Sequence, residues 1–552
     1  MHGRSVTVER QSSLGTKTQL TVSGNILFPA ISPDGKQLAY VDRRCNGADC
    51  TYAVVEQDVG GTTTRSILDN ATAFYGIWWS PDRRNLIFNG TVGGRYGSYL
   101  LSALGSAPRF LTPGAAAFHA GGDSLLIGPG NAQDSVYWVK VAGLDAIPRD
   151  SIAVRGKGQF LNSLSAIPGS PWILTLIIQA PHGLWQVIGR DGKVADHVVN
   201  QCTCGGIGSV DAIWLDRAGD AAGESIVRIP VDPATGYLSA QQDTMVTGIF
   251  TNVSVTADGG RMVMDQGTVD YGMWTTSLSD LLAGTLPEAK RAAHASNSIH
   301  ALISPDGRRV LVRRIVPTTG QHTEPRFSIR MFDDGTETPL QANGMIVKAS
   351  WEDSTSLAYG SSTARGTTHF GVLDVRTGAE RNAYDLPDSV VRAVAPLPDG
   401  WVWVPAGGTR IVIEEKGKQR ELPVPDWYSN VGDVQTDPAH GRAYLSGFNR
   451  TTTDSLGVFA VNLADGTMTR WAAAFAEDGG IQVLDGGDVL FQVHHTADAF
   501  DLYRLRGPDA MARIGSPRAP LLDMSVSRDL KRVTAVQRSY SADAWMYNVV
   551  KR

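Results

Sequence analysis

A four-residue phrase, Ser-Pro-Asp-Gly followed by a short apolar run, returns along this chain and constrains its fold more than any other feature. It stands intact at Ser32–Gly35 before Leu38-Ala39-Tyr40, and at Ser304–Gly307 before Val310-Leu311-Val312. Altered copies occur at Ser80-Pro81-Asp82, Ala257-Asp258-Gly259, Pro398-Asp399-Gly400, Thr436-Asp437-Pro438 and Ser527-Arg528-Asp529. Asp34 to Asp82 is 48 residues, Asp258 to Asp306 is 48, and Asp353 to Asp399 is 46. The long gap from Asp123 to Asp258 is 135 residues, which leaves room for two degenerate units. Their expected places are Ala166-Ile167-Pro168-Gly169 and Ile213-Trp214-Leu215-Asp216. A period of this length marks one supersecondary unit stacked many times, here about twelve.

Each unit has one internal grammar. In Phe74–Thr112, the run Ile77-Trp78-Trp79 precedes the turn and Asn85-Leu86-Ile87-Phe88 follows it. A glycine-rich gap then leads to Ser98-Tyr99-Leu100-Leu101 and to Arg109-Phe110-Leu111-Thr112. Four short strands per roughly 45 residues is the pattern of a propeller blade. In the turn, Ser takes the first position, Pro presets φ at the second, and Gly supplies positive φ at the fourth. The repeat residues Asp34, Gly35, Asp82, Asp258, Asp306, Gly307, Asp399 and Asp529 therefore read as turn chemistry, not as acids or ligands. The best helical stretch, Ser277–Ala293, is broken by Gly284 and Pro287 and allows a turn or two.

The last unit lacks a fourth strand: after Trp545-Met546-Tyr547-Asn548-Val549 the chain ends at Arg552. Thr18-Gln19-Leu20-Thr21 precedes the first turn and can supply it, which places a strand over 17–22 beside the last blade and hides an open edge. The expected fold is all-β, twelve four-stranded blades in two six-bladed rings, with a range of six to seven blades per ring. With a seam near Ala293–Ser298, the first ring covers 1–297 and the second 298–552. A nested arrangement, with the second ring inserted in the first, stays open beside the sequential one.

With 42% hydrophobic and 19% charged residues, the composition is that of a globular protein, and the 60 glycines follow from the many turns. A net charge of −5 and no basic run longer than a pair argue against a nucleic-acid partner. No stretch reaches the roughly 18–20 apolar residues of a membrane span. Residues 1–17 lack the apolar centre of a signal peptide. The abrupt start is compatible with tethering through upstream sequence that has been removed.

Cys45-Asn-Gly-Ala-Asp-Cys50 suits a hairpin-loop disulfide, with free thiols or a metal site as alternatives. Cys202 and Cys204 are too close for easy disulfide geometry and have no completing zinc ligands nearby. His494 and His495 read as residues of the loop after Val489–Val493. No Gly-x-Ser-x-Gly elbow, Walker loop or dinucleotide fingerprint occurs, so no catalytic residue, metal ligand or cofactor is assigned.

With these repeats placed, the chain resembles the TolB-like, WD-repeat-like propellers of bacteria, through Ser32–Tyr40 and Arg109–Thr112. A narrower likeness joins Gln19–Gly35 and Asp523–Arg552 to the ends of the extracytoplasmic propellers of bacterial serine/threonine protein kinases, although no kinase motif is present. The resemblance implies a non-catalytic binding or sensor scaffold for a protein, peptide or small ligand. It also implies an extracytoplasmic site (periplasmic or cell-surface), with the cytoplasm as the alternative. The competing function is a lyase or hydrolase with its site in a propeller channel.

Overall fold

The computed structural model describes residues 10–11, 14–46, 49–71, 73–93, 95–128, 136–155, 160–179, 182–200, 206–220, 223–248, 252–284, 286, 290–295, 299–317, 323–342, 345–362, 368–386, 391–405, 410–422, 428–449, 456–472, 481–496, 499–508, 510–517, 521 and 523–550. Among these, the strands form eleven sheets, and one of the eleven is two blades fused end to end. Its spine is a pair of long strands, Arg261–Ser277 and Arg532–Val549. They pair antiparallel without a break from Arg261 opposite Asn548 to Ser277 opposite Arg532.

At one end of this ribbon, Val253–Val255 and Leu14–Gln19 flank the pair and complete a four-stranded blade. At the other end, Asp523–Val526 and Arg291–Ala295 do the same. The first blade closes a ring with the five sheets between Ile26 and Gly248, and the second with the five between Ile299 and Gly515. The result is two six-bladed propellers sharing one ribbon. The N-terminal strand pairs with the C-terminal strand, as expected, in the blade that closes the first ring: Lys17 faces Tyr547, and the Leu20 N–H donates to Ala544 O at 2.8 Å.

The expected single boundary at 297/298 does not divide the rings. Residues of the second ring's blades fall in sequence between the two long strands, and Arg291–Ala295 belongs to the second ring while Asp543–Val549 pairs within the first. The arrangement is nested because an antiparallel ribbon can carry one blade at each end only if the chain leaves and returns between its two strands.

The hydrogen bonds of the repeat turn explain its sequence. Ser32 Oγ donates to Asp34 Oδ1 at 2.7 Å and accepts from the Gln37 N–H at 2.9 Å. The Gly35 N–H closes the turn on Ser32 O at 2.8 Å, with φ of +73° at Gly35. The same lock recurs at Ser80/Asp82, Thr256/Asp258, Ser304/Asp306 and Ser527/Asp529. Of the two degenerate units, the turn at Ile167–Ser170 lies where the sequence places it. The other is Val210-Asp211, ahead of the Ile213–Asp216 run, which is strand. The single α-helix among the described residues, Leu278–Ala283, is capped by Ser277, whose Oγ accepts from the Asp280 N–H.

Cores lie between blades. Phe88 and Tyr99 stack at 5.2 Å within a cluster shared by the first two blades, and Trp214, Met262, Met264 and Tyr547 bind the fifth blade to the ribbon. Alternating residues of each strand pack against the neighbouring blades on either side, which is why the strand interiors read as nearly continuous apolar runs.

Candidate functional site

The inner strands of the second ring are Ile299–Ile303, Met345–Trp351, Val391–Leu397, Tyr428–Asp437, Ile481–Val483 and Asp523–Val526. Together they enclose a cavity of about 680 Å³, to which all six blades contribute. That volume lies within the usual range for small-molecule sites, roughly 300–1,000 Å³.

The repeat turns form one mouth of this channel. There the carboxylates are engaged: Glu352 with Arg381, Asp437 with His440 at 2.7 Å, and Asp485 with Arg528 at 4.0 Å. Gly487 lies against the Asp437–His440 pair, where an added Cβ would stand 2.8 Å from His440 Nδ1 and 2.9 Å from Asp437 Oδ2. Deeper in, Gln492 Nε2 donates to Met524 O at 3.1 Å, and Gln482 bonds the Val526 backbone. These glutamines tie the fifth blade to the sixth.

Past the mouth the wall turns apolar, with Leu302, Leu311, Phe327 and Ile346, and it carries the cations Arg313 and Lys348. Arg313 follows Val310-Leu311-Val312 on the second strand of the first blade, where Val310 and Val312 are fully buried. It shares the face of Leu311 and sits opposite both His300 and Phe327. Burial holds its guanidinium below the usual arginine range. The first ring carries a shallower hollow of about 490 Å³ between turns of its third and fourth blades. In that hollow His119 Nε2 and Arg190 Nη2 are 2.9 Å apart, and burial followed by the Arg190 charge pushes the His119 pKa down.

The repeat aspartates are not brought together. Asp34, Asp82, Asp258, Asp306 and Asp529 each stay in their own turn. For Asp34, Asp82, Asp306 and Asp529 burial opposes ionisation, but the serine hydroxyl and backbone N–H bonds outweigh it and hold the carboxyls below the usual range. Asp399 differs: Pro398-Asp399 is a two-residue connection in which Gly400 pairs with Leu397 inside the strands, and the Asp399 carboxylate meets Lys416 at 3.3 Å. Gly35 and Gly307 take the left-handed turn position, with φ of +73° and +71°.

Cys45 and Cys50 lie in strands, not in the loop, and are direct cross-strand partners at the end of the Gln37–Asn46/Asp49–Asp58 hairpin. Cys202 and Cys204 lie outside the described residues. His494 and His495 belong to the strand Val489–Thr496, which runs three residues beyond its expected end. The sequence did not single out Arg313, Lys348 or the Asp437–His440 pair. The available signal was a charged residue at Arg313 on the face of Leu311, inside an apolar strand.

These strands define the class of the molecule: a pair of β-propellers, the second with a cavity along its channel. No protein-family model and no curated protein matches the chain. Among solved structures it is similar to TolB of Agrobacterium tumefaciens, at 13% identity and a TM-score of 0.35, covering 50% of this chain and 99% of that one. TolB of Acinetobacter baumannii is similar at 12% identity and a TM-score of 0.31, over 62% of this chain and 81% of that one. The tricorn protease is similar at 12% identity and a TM-score of 0.26, over 87% of this chain, which spans 49% of the protease. No helix among the described residues is long and apolar enough to cross a membrane.

Proposed function

We propose that this chain is a non-catalytic binding scaffold that recognises a protein, peptide or small ligand through the channel of its second ring. The observation that carries this reading is the cavity of about 680 Å³ to which every blade of that ring contributes. A wall assembled from six separately braced blades is rigid, and rigid concave sites suit recognition. An enzymatic reading is favoured by one contact, the Asp437–His440 pair at the mouth. That pair is local: its members are three positions apart and bracket the short 3-10 helix Pro438–His440, which the Gly441 N–H closes on Pro438 O.

An extracytoplasmic location, as in a kinase-linked sensor, goes with this proposal. It is supported by the cross-strand register of Cys45 and Cys50, since directly opposed strand residues lie within disulfide reach. Peptide mapping of freshly isolated protein without reductant should find Cys45 linked to Cys50, whereas free thiols there would count for the cytoplasm.

The test of the binding reading is a photo-crosslinking amino acid at Ser350, on the channel wall, compared with one at Thr377 in an outer hairpin. In cells that make this chain, an adduct at Ser350 that excess unmodified protein competes away, and that Thr377 does not form, is expected. Equal labelling at both sites, or none that competes, would remove the channel as the recognition site.

A further inference from the structure

Arg313 and Lys348 set the chemistry of the channel. They come from adjacent blades and line the same cavity. The carboxylates at the mouth are already engaged by Arg381, His440 and Arg528, while neither Arg313 nor Lys348 has an ion-pair partner among the described residues. Arg313 Nε is buried and makes no hydrogen bond. Burial lowers its pKa, and no carboxylate among the described residues offsets that effect.

A half-buried cation with no counter-charge among the described residues is costly, and a chain could replace it with an apolar residue at a gain in stability. The wall around it is otherwise suited to such a residue, since Leu311, Phe327 and Ile346 surround the position. A planar guanidinium held open in this setting is fitted to a bidentate oxyanion, with the Lys348 ammonium as a second point charge.

We propose that the second ring's channel takes an anionic ligand. Its carboxylate or phosphate head lies against Arg313 and Lys348, and its apolar remainder runs along Leu311, Phe327 and Ile346. This rests on the channel being the recognition site and adds the charge of the occupant.

The experiment is calorimetric titration of the whole chain with octanoate, octyl phosphate and octylamine, below their micellar concentrations. At least one of the two anions should bind with 1:1 stoichiometry, and which of them is tighter separates carboxylate from phosphate recognition. Arg313→Gln and Lys348→Gln should each weaken that binding about tenfold, the scale of one charge-assisted hydrogen bond. Arg376→Gln, in an exposed outer hairpin, should leave it unchanged.

Arg313→Met gives the second readout. Its melting temperature should rise while anion binding falls, because the variant removes a half-buried charge that no described carboxylate offsets. A purely structural arginine would instead lower the melting temperature. The proposal is overturned if octylamine binds as tightly as the anions, if no anion binds, or if both glutamine variants bind like the parent. A competed Ser350 crosslink without anion binding would leave the channel as the site and discard only its charge preference.

Discussion

Arg261 reaches across the seam of the first ring and donates from Nη1 to the carbonyl oxygen of Gly35 at 3.0 Å. The second ring repeats this contact, Arg532 Nη1 to Gly307 O at 3.2 Å. Beside it, Ala257 N–H donates to Pro33 O in one ring and Arg528 N–H to Pro305 O in the other. Ser254 Oγ accepts from the Ile31 N–H, and Ser525 Oγ from the Ile303 N–H. The two intact Ser-Pro-Asp-Gly phrases are thus the turns on which each ring closes. Their carbonyls face the sixth blade's turn, and a Cβ at Gly307 would come within 2.8 Å of Arg532. That double duty gives a physical reason for an intact phrase at these two places.

Replacing either arginine should loosen only its own ring. Arg261→Ala and Arg532→Ala are each expected to cost about 1 kcal/mol, the usual net value of such a bond. In a ring of this size that is about 2–4 °C of melting temperature. Hydrogen exchange should show faster opening at Ile31 for the first variant and at Ile303 for the second. Equal effects of both variants on both rings would contradict the assignment.

The midpoint of the shared ribbon leaves no room for a side chain at Gly267. A Cβ there would stand 2.0 Å from Ser541 O. Gly267→Ala should therefore force the two long strands apart and destabilise the protein by about 1–3 kcal/mol, the usual range for overpacking. Gly507→Ala, where nothing lies within 4 Å, is the matched control and should be close to neutral. Denaturant unfolding of the two variants compares them directly.

Asp543 anchors the N-terminal strand. Its Oδ1 accepts from Thr21 Oγ1 and from the Gly24 N–H, each at 3.0 Å. Asp543→Ala leaves both donors without this acceptor and is expected to cost about 1–3 kcal/mol. Brief trypsin treatment should then cut after Lys17 well before either ring unfolds. Resistance equal to the parent would show that the ladder with Tyr547 holds the strand alone.

His369 predicts a pH dependence. Its side chain is buried on the strand Thr368–Asp374, with Nε2 2.8 Å from Glu380 Oε1 and Nδ1 2.7 Å from Asp385 Oδ1. Burial favours the neutral ring, but the two carboxylates outweigh it and raise the pKa above 6.5. A raised folded-state pKa contributes stability that is complete below about pH 6.5 and is lost as pH climbs through the folded value. The melting temperature should fall over that rise, and His369→Gln should flatten the fall. An equal slope in both proteins would assign the pH dependence elsewhere.

What the sequence determined by itself was the blade. Ser32, Asp34 and Gly35 carry the turn in their own side chains and backbone, within six residues of chain, so spacing and residue type suffice to read it. The pairing of the N-terminal strand with the C-terminal one was also legible, because a last strand left with an open edge must find a partner. The nesting of the rings was decided only by tertiary structure. Arg261 and Asn548 are 287 residues apart, and no local preference distinguishes a ribbon serving two blades from two ordinary hairpins. The channel followed the same rule. Arg313 and Lys348 are unremarkable charges along the chain, and they come to line one cavity, without an ion-pair partner among the described residues, only when a closed ring of inner strands brings their blades together.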